Sequence, residues 1–322
     1  MIHSLCYSNG RLKEAKKEEL RQILSKKQSL CWIDLSNDSS GDLDFLEREC
    51  LISGLALQIL TDFNQRAKAE SFEEFAILIL HAVGFSSHTK ERIIFKQLNI
   101  CLGKNFVITV HNEPIQALEL IRDSIRKNPL IFEKGADFLV YKIMDTIVDE
   151  YFPILDGVDN SIEVLEKEIF DRMHERRTIN HIFKTKRITL QLKKEIFPLR
   201  ESLSLLSGAG FPFVKKSTAI QFREVYDHVF RVLDLVETYR DLTTSLLDAH
   251  LSVVSNRLNE VMKVLTIGAI ILMSATFVTG IYGMNFSNLP ALHEEWGFPA
   301  SVLVMILISI VMAYYFRKKK WF

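Results

Sequence analysis

Charge is missing from one long stretch of this chain. From Val264 to Gly283 it reads VLTIGAIILMSATFVTGIYG, twenty residues without Asp, Glu, Lys, Arg or His. At about 1.5 Å per residue that run spans roughly 30 Å of hydrocarbon. A second run, FPASVLVMILISIVMAYYF, extends from Phe298 to Phe316. Buried core helices would give the same pattern, but too little chain surrounds these runs to supply a soluble core, so they predict two transmembrane helices. Net charge is absent as well: Lys plus Arg and Asp plus Glu number 40 each. That balance excludes a general attraction to nucleic acid.

Basic residues are missing between the two runs. The segment SNLPALHEEWG holds Glu294 and Glu295 but no Lys or Arg, whereas Arg317 to Lys320 follow the second run and Arg257 and Lys263 precede the first. This asymmetry predicts a multi-pass protein of the cell (inner) membrane with both termini cytoplasmic. Trp296 at one boundary, and Tyr314, Tyr315 and Trp321 at the other, fit interfacial aromatic belts in contact with membrane lipid. The N-terminal segment has no apolar stretch of signal-peptide type, which leaves insertion to the first apolar helix.

Cysteine is sparse. Cys6, Cys31, Cys50 and Cys101 form no C-x-x-C and no Cys/His pair at zinc-ligand spacing, so reduced structural thiols are expected. Also lacking are G-x-G-x-x-G, a Walker lysine loop and a nucleophile elbow. The acid pairs Glu73-Glu74 and Glu294-Glu295 have no His or Ser at a catalytic spacing. The expectation is therefore no enzyme and no organic cofactor.

What is present falls into three stretches. Residues 1–132 mix β-like and helical patterns, with SLCWIDLS, FAILILHAVGF and the pair IIFKQLNICL and FVITVH read as strands, the last two as a hairpin. LDFLERECLISGL, 43–55, reads as an amphipathic helix. Residues 133–262 are helical in period and form a stalk with a coiled-coil-like hairpin, broken at Ser207 to Pro212. From Thr218 no Pro or Gly interrupts the chain before Gly268, which predicts one helix leaving the cytosol and entering the membrane without a joint. Its cytosolic half keeps its own apolar stripe, so association with copies of itself is expected. Residues 263–322 form the transmembrane hairpin with a basic tail.

Within the first apolar run Met262, Leu265, Ala269, Met273, Thr276, Gly280 and Gly283 recur at three- and four-residue spacing on one face. Such stripes of small and weakly polar residues serve as helix contact surfaces, or turn toward an axis among symmetric copies. Followed backwards, the face passes Asn259 and Ser255 to Asp248, a carboxylate that would ring the cytosolic mouth. Gly283 is expected to end the helix in the left-handed conformation. Asn285 then stands just past the membrane surface, where its amide oxygen accepts from the waters of a hydrated cation. A neutral outer-sphere group suits Mg2+, which sheds its water reluctantly.

The sequence YGMNF at 282–286, preceded by YDHVFRVLDLVETYRDLTTSLLDAHLSVVSNRLNEVMKVLT and closed by RKKKWF, resembles the CorA family of divalent-cation channels. The resemblance implies an α+β membrane protein: a cytosolic α/β domain, a long helical stalk and two C-terminal transmembrane helices in a homopentameric funnel. Gly283, Met284 and Asn285 resemble the family's selectivity filter. Thr276 and Gly280 are similar to inner pore positions, with Met273 on the same lining, and Met262 and Leu265 to a hydrophobic constriction. Asp248 is similar to the inner acidic ring. The implied function is influx of hydrated Mg2+, and of Co2+ or Ni2+, down the membrane potential, shut by cytosolic Mg2+ bound between neighbouring subunits. Glu224 matches the stalk acid of that regulatory site, but Ile59 stands at its partner position, with Asp62 nearby as an imperfect substitute. Two rivals are a related zinc transporter of the ZntB type, against which Met284 argues, and a membrane-anchored helical scaffold, which leaves Asn285 without a role.

Overall fold

In a computed structural model, residues 2–24, 29–36, 54–85, 93–170, 175–208, 210–284, 294–319 and 321 are described. The chain divides into two compact units, residues 1–246 and 247–322.

The first unit is built on a sheet whose strands are β1 (Ile2–Ser8), β2 (Arg11–Glu14), β3 (Leu30–Ser36), β4 (Lys68–Ser71), β5 (Phe75–Phe85), β6 (Ile93–Gly103) and β7 (Phe106–His111). Their order is β2-β1-β3-β7-β6-β5-β4; β3 and β7 pair in parallel and the other neighbours antiparallel. The expected strands at 29–36 and 75–85, and the hairpin through Gly103 to Asn105, are present. β1 and β2 were not expected, although Asn9-Gly10 between them carries the positive φ angles, 52° and 76°, of a tight hairpin turn.

Side chains alternate along the inner strands β1, β3, β5, β6 and β7, so each of these feeds two cores. On β5, Leu78 and Leu80 enter one core while Ile77 and Ile79 enter the other. The second core is closed by Leu20 of helix α1 (Lys17–Leu24) and by Ala56, Leu57 and Leu60 of helix α2 (Gly54–Thr61). Most of the helix expected at 43–55 lies outside the described residues; its last two, Gly54 and Leu55, begin α2. The first core gathers α3 (Gln116–Lys127), α4 (Ala136–Asp149), α5 (Tyr151–Ile169), α6 (Glu175–Ser207) and α7 (Lys216–Tyr282), with members from Leu5 to Tyr239.

The pattern from Ala136 onward continues through Glu150, yet α4 ends at Asp149 and α5 begins at Tyr151. Pro153 lacks the amide that would bond the Asp149 carbonyl, which is sufficient cause for a break there. Phe222 of α7 is fully buried and meets the Tyr141 ring of α4 edge-on at 6.1 Å, fixing these two helices against each other. Burying such a ring stabilises by about 1.5–3 kcal/mol.

One expectation fails. Cys6 and Cys31, read as reduced thiols, are joined in a disulfide with Cα atoms 4.1 Å apart. The antiparallel register of β1 and β3 sets them directly opposite each other, a relation that a separation of 25 residues does not reveal.

The second unit holds the end of α7 and helix α8 (Gly297–Lys318), both long and apolar enough to cross a membrane. Leu272, Met273 and Phe277 are each 70% exposed and Phe298 79%. At about 25 cal/mol per Å2, such apolar surface is costly in water and suited to lipid or to other copies of the chain. Beyond α8, Trp321 packs on the buried ring of Phe316 at 5.4 Å. As expected, α7 is a single helix of 67 residues.

Candidate functional site

The helix α7 has two different sides in its apolar segment. Ile267 is buried, and Thr266, Ile270, Ile271, Ser274 and Val278 are half-buried. At about 100° per residue, Met262, Leu265, Ala269, Met273, Thr276, Gly280 and Gly283 fall on the opposite side. All seven are exposed, as are Asp248, Ser255 and Asn259 before them. Val264, Leu272 and Phe277, which flank this stripe, are exposed as well.

Its chemistry is specific. Thr276 donates its hydroxyl hydrogen to the Leu272 carbonyl at 2.9 Å, leaving the oxygen lone pairs as acceptors on the open face. A Cβ added at Gly280 would meet nothing within 4 Å, so no contact among the described residues demands glycine there. Met262 and Leu265, 59% and 62% exposed, are bulky apolar groups at the start of the face, and Met273 is a third further along it.

Gly283 departs from expectation. Its φ is not positive; its amide bonds the Thr279 carbonyl at 2.9 Å, and Met284 follows with a bond to the Ile281 carbonyl at 3.3 Å. Among the described residues the helix ends by loosening through a turn at Gly283 and Met284, with neither in the left-handed conformation. A Cβ at Gly283 would lie 3.2 Å from the Thr279 carbonyl oxygen, closer than ordinary van der Waals contact. Asn285 lies outside the described residues, as do Pro290 and Ala291. Glu294 and Glu295 are exposed.

Away from the membrane segment, the first unit gathers a donor set that periodicity did not show. Asp145 and Asp149, one turn apart on α4, meet His228 of α7, with ligand atoms all within 4.8 Å of one another. His228 Nδ1 is 3.8 Å from an Asp149 oxygen and has no hydrogen-bond partner among the described residues. Burial raises the Asp149 carboxyl above its ordinary range, and the charge of Asp145 adds to this while His228 opposes it. Lys142 bonds Asp145 at 3.1 Å; burial, the largest single influence, pulls its ammonium down, but the bond and charge of Asp145 together with Tyr141 outweigh it and leave the group raised. Glu224, one turn before His228, is exposed on α7. Burial pushes the Tyr141 hydroxyl up, and the charges of Asp145 and Glu224 push the same way, so both acids face one phenol. Two carboxylates, a third nearby and an imidazole are donors for a divalent cation. The sequence signal was Asp145 and Asp149 at i, i+4; nothing local pointed to His228.

Ile59 is half-buried and packs on the second core, so its side chain is structural. Asp62 is exposed and accepts the Asn64 amide at 3.0 Å in a local turn. The arrangement offers an exposed weakly polar face on a membrane-length helix and an acidic, imidazole-containing cluster on the first unit. Neither holds a nucleophile beside a base.

Residues 27–318 match the family model described as CorA-like Mg2+ transporter protein. The chain is 38% identical to the cobalt/magnesium transport protein CorA of Thermotoga maritima over 324 residues, 99% of this chain and 92% of that one. It is 30% identical to the cobalt/magnesium transport protein CorA of Methanocaldococcus jannaschii over 305 residues, 94% of this chain and 95% of that one. The solved complete structure of the CorA magnesium transporter of Methanocaldococcus jannaschii superposes with a TM-score of 0.86 at 27% identity, covering 100% of this chain and 99% of that one.

Proposed function

Because this chain belongs to the CorA family, we propose that it transports divalent cations as a homopentameric channel, carrying hydrated Mg2+, and Co2+ or Ni2+, into the cytosol. The path runs along α7 of each copy. The observation that carries this reading is the uncovered face from Met262 to Gly283, opposite the half-covered one. Around an axis, five such faces would present Thr276 oxygens and the open backbone at Gly280 to the water shell of the ion, a contact that needs no dehydration. At the outer end Gly283, Met284 and Asn285 form the filter, where the Asn285 amide and the last helix carbonyls attract a hydrated cation. Met262 and Leu265 close the path by excluding water, and Asp248 gathers cations at the inner mouth.

Two elementary charges moving down about 100 mV release about 4.6 kcal/mol, enough for roughly a thousandfold accumulation. Influx needs no nucleotide and no coupling ion. Cytosolic Mg2+ acts as the regulator. Its site on each chain is the Asp145, Asp149 and His228 cluster with Glu224 beside it; Ile59 supplies no ligand across the interface, and Asp62 contributes a weak one. Both termini lie in the cytoplasm.

The test is Mg2+ uptake into proteoliposomes under an inside-negative potential, with wild type beside Asn285→Ala. Uptake by the wild type alone is expected. Equal uptake by both removes the filter from Asn285, and uptake by neither with internal Mg2+ chelated favours the anchored scaffold.

A further inference from the structure

A cavity of about 790 Å3 in the first unit lies between the sheet and α6, bordered by His81, Gln97, Gln191 and Glu195 among others. His81 of β5 is only 8% exposed. Its ring hydrogen-bonds to the backbone of Gln65, while Nδ1 has no hydrogen-bond partner among the described residues. The bonded nitrogen is therefore Nε2, donating to a carbonyl, and in the neutral ring the lone pair rests on Nδ1. That nitrogen lies 3.4 Å from Oε2 of Glu195, whose side chain is 18% exposed.

At that distance a lone pair and a carboxylate face each other, an arrangement that suits a shared cation. A metal ion fits the distance. Ligand atoms about 2.1 Å from a tetrahedral ion stand about 3.4 Å apart. Donation of the far ring nitrogen to a backbone carbonyl is also how metal-bound histidines are commonly held. Gln191, one turn before Glu195 on α6, borders the same cavity and can offer its amide oxygen. Lys184 and Arg187 balance Glu113 and Glu195 around the cavity, so the donor set decides which ion enters.

We infer that His81 and Glu195 form a binding site for a borderline divalent cation, Co2+, Ni2+ or Zn2+, separate from both the ion path and the Asp145 cluster. Imidazole selects such ions over Mg2+, which prefers oxygen donors and octahedral geometry. Bound there, the ion ties β5 of the sheet to α6.

The test uses the full-length protein stripped of metal, with Co2+ as the probe, in equilibrium dialysis and visible absorption against excess Mg2+. The wild type and His228→Ala should both retain a Co2+ that Mg2+ does not displace. His81→Ala and Glu195→Gln should lose it, with binding weakened about tenfold or more. Should His81→Ala fail to assemble, Glu195→Gln, which replaces one oxygen by nitrogen, decides by itself. Unchanged Co2+ binding in Glu195→Gln, or displacement of the wild-type ion by Mg2+, overturns the site and leaves the pair sharing at most a proton.

Discussion

Thr276 commits its only hydroxyl hydrogen to the Leu272 carbonyl, so the group it turns outward is an acceptor, suited to the hydrogens of an ion's water shell. Met262 and Leu265 on the same face accept and donate nothing. Replacing both with Gly should give a leaky pore at resting internal Mg2+; conductance equal to wild type would place the gate elsewhere. Glu150, between α4 and α5, illustrates a burial cost: burial lifts its carboxyl from an ordinary 4.5 to about 7, with Lys96 opposing the shift. An acid raised in the fold is favoured while protonated, so its penalty is absent below the unfolded value, grows as pH rises, and is complete above the folded one. Glu150→Gln should therefore raise the melting temperature at about pH 8 and leave it unchanged near pH 4. An equal shift at both would mean that packing, and not ionisation, is responsible. Residue types carried the stripe and its acceptor chemistry in plain sight. The conformation of Gly283 was hidden, because glycine is equally compatible with a left-handed cap and with a close approach to the Thr279 carbonyl.

The helices show where periodicity is informative and where it stops. The period of α7 was legible because no Pro or Gly interrupts it from Lys216 to Ile267, and its two faces differ in composition throughout the apolar segment. The break between α4 and α5 was less legible, since apolar spacing passes through it and Pro153 alone marks it. The turn at Asn9-Gly10 was visible but flanked by few apolar residues, so β1 and β2 went unread. Packing of α4 on α7 creates the Asp145, Asp149 and His228 cluster, and helical spacing supplies only its first two members. Asp145→Asn and Glu224→Lys should each shift the inhibition of uptake by internal Mg2+ to higher concentrations, by tenfold or more on the order of one lost charged ligand. An unaltered dose response in both variants would remove this cluster from regulation.

At the scale of the whole molecule, what was legible was the division between charged and uncharged chain: two apolar runs, a connecting segment without Lys or Arg, and a basic tail. What was not legible depends on register and on distance along the chain. The Cys6–Cys31 disulfide exists because β1 and β3 pair antiparallel with those residues opposed. The pairing of His81 with Glu195 joins positions more than a hundred residues apart. The central claim is that ions pass along one face of α7, and cysteine accessibility measures this most directly. Thr276→Cys and Ile270→Cys proteins are treated with a charged thiol reagent during Mg2+ uptake, with wild type as the control for native cysteines. Block at Cys in place of Thr276, with uptake through the Ile270 variant unaffected, is the predicted result. Block in the Ile270 variant alone, or in neither, would contradict an ion path along the Met262-to-Gly283 face.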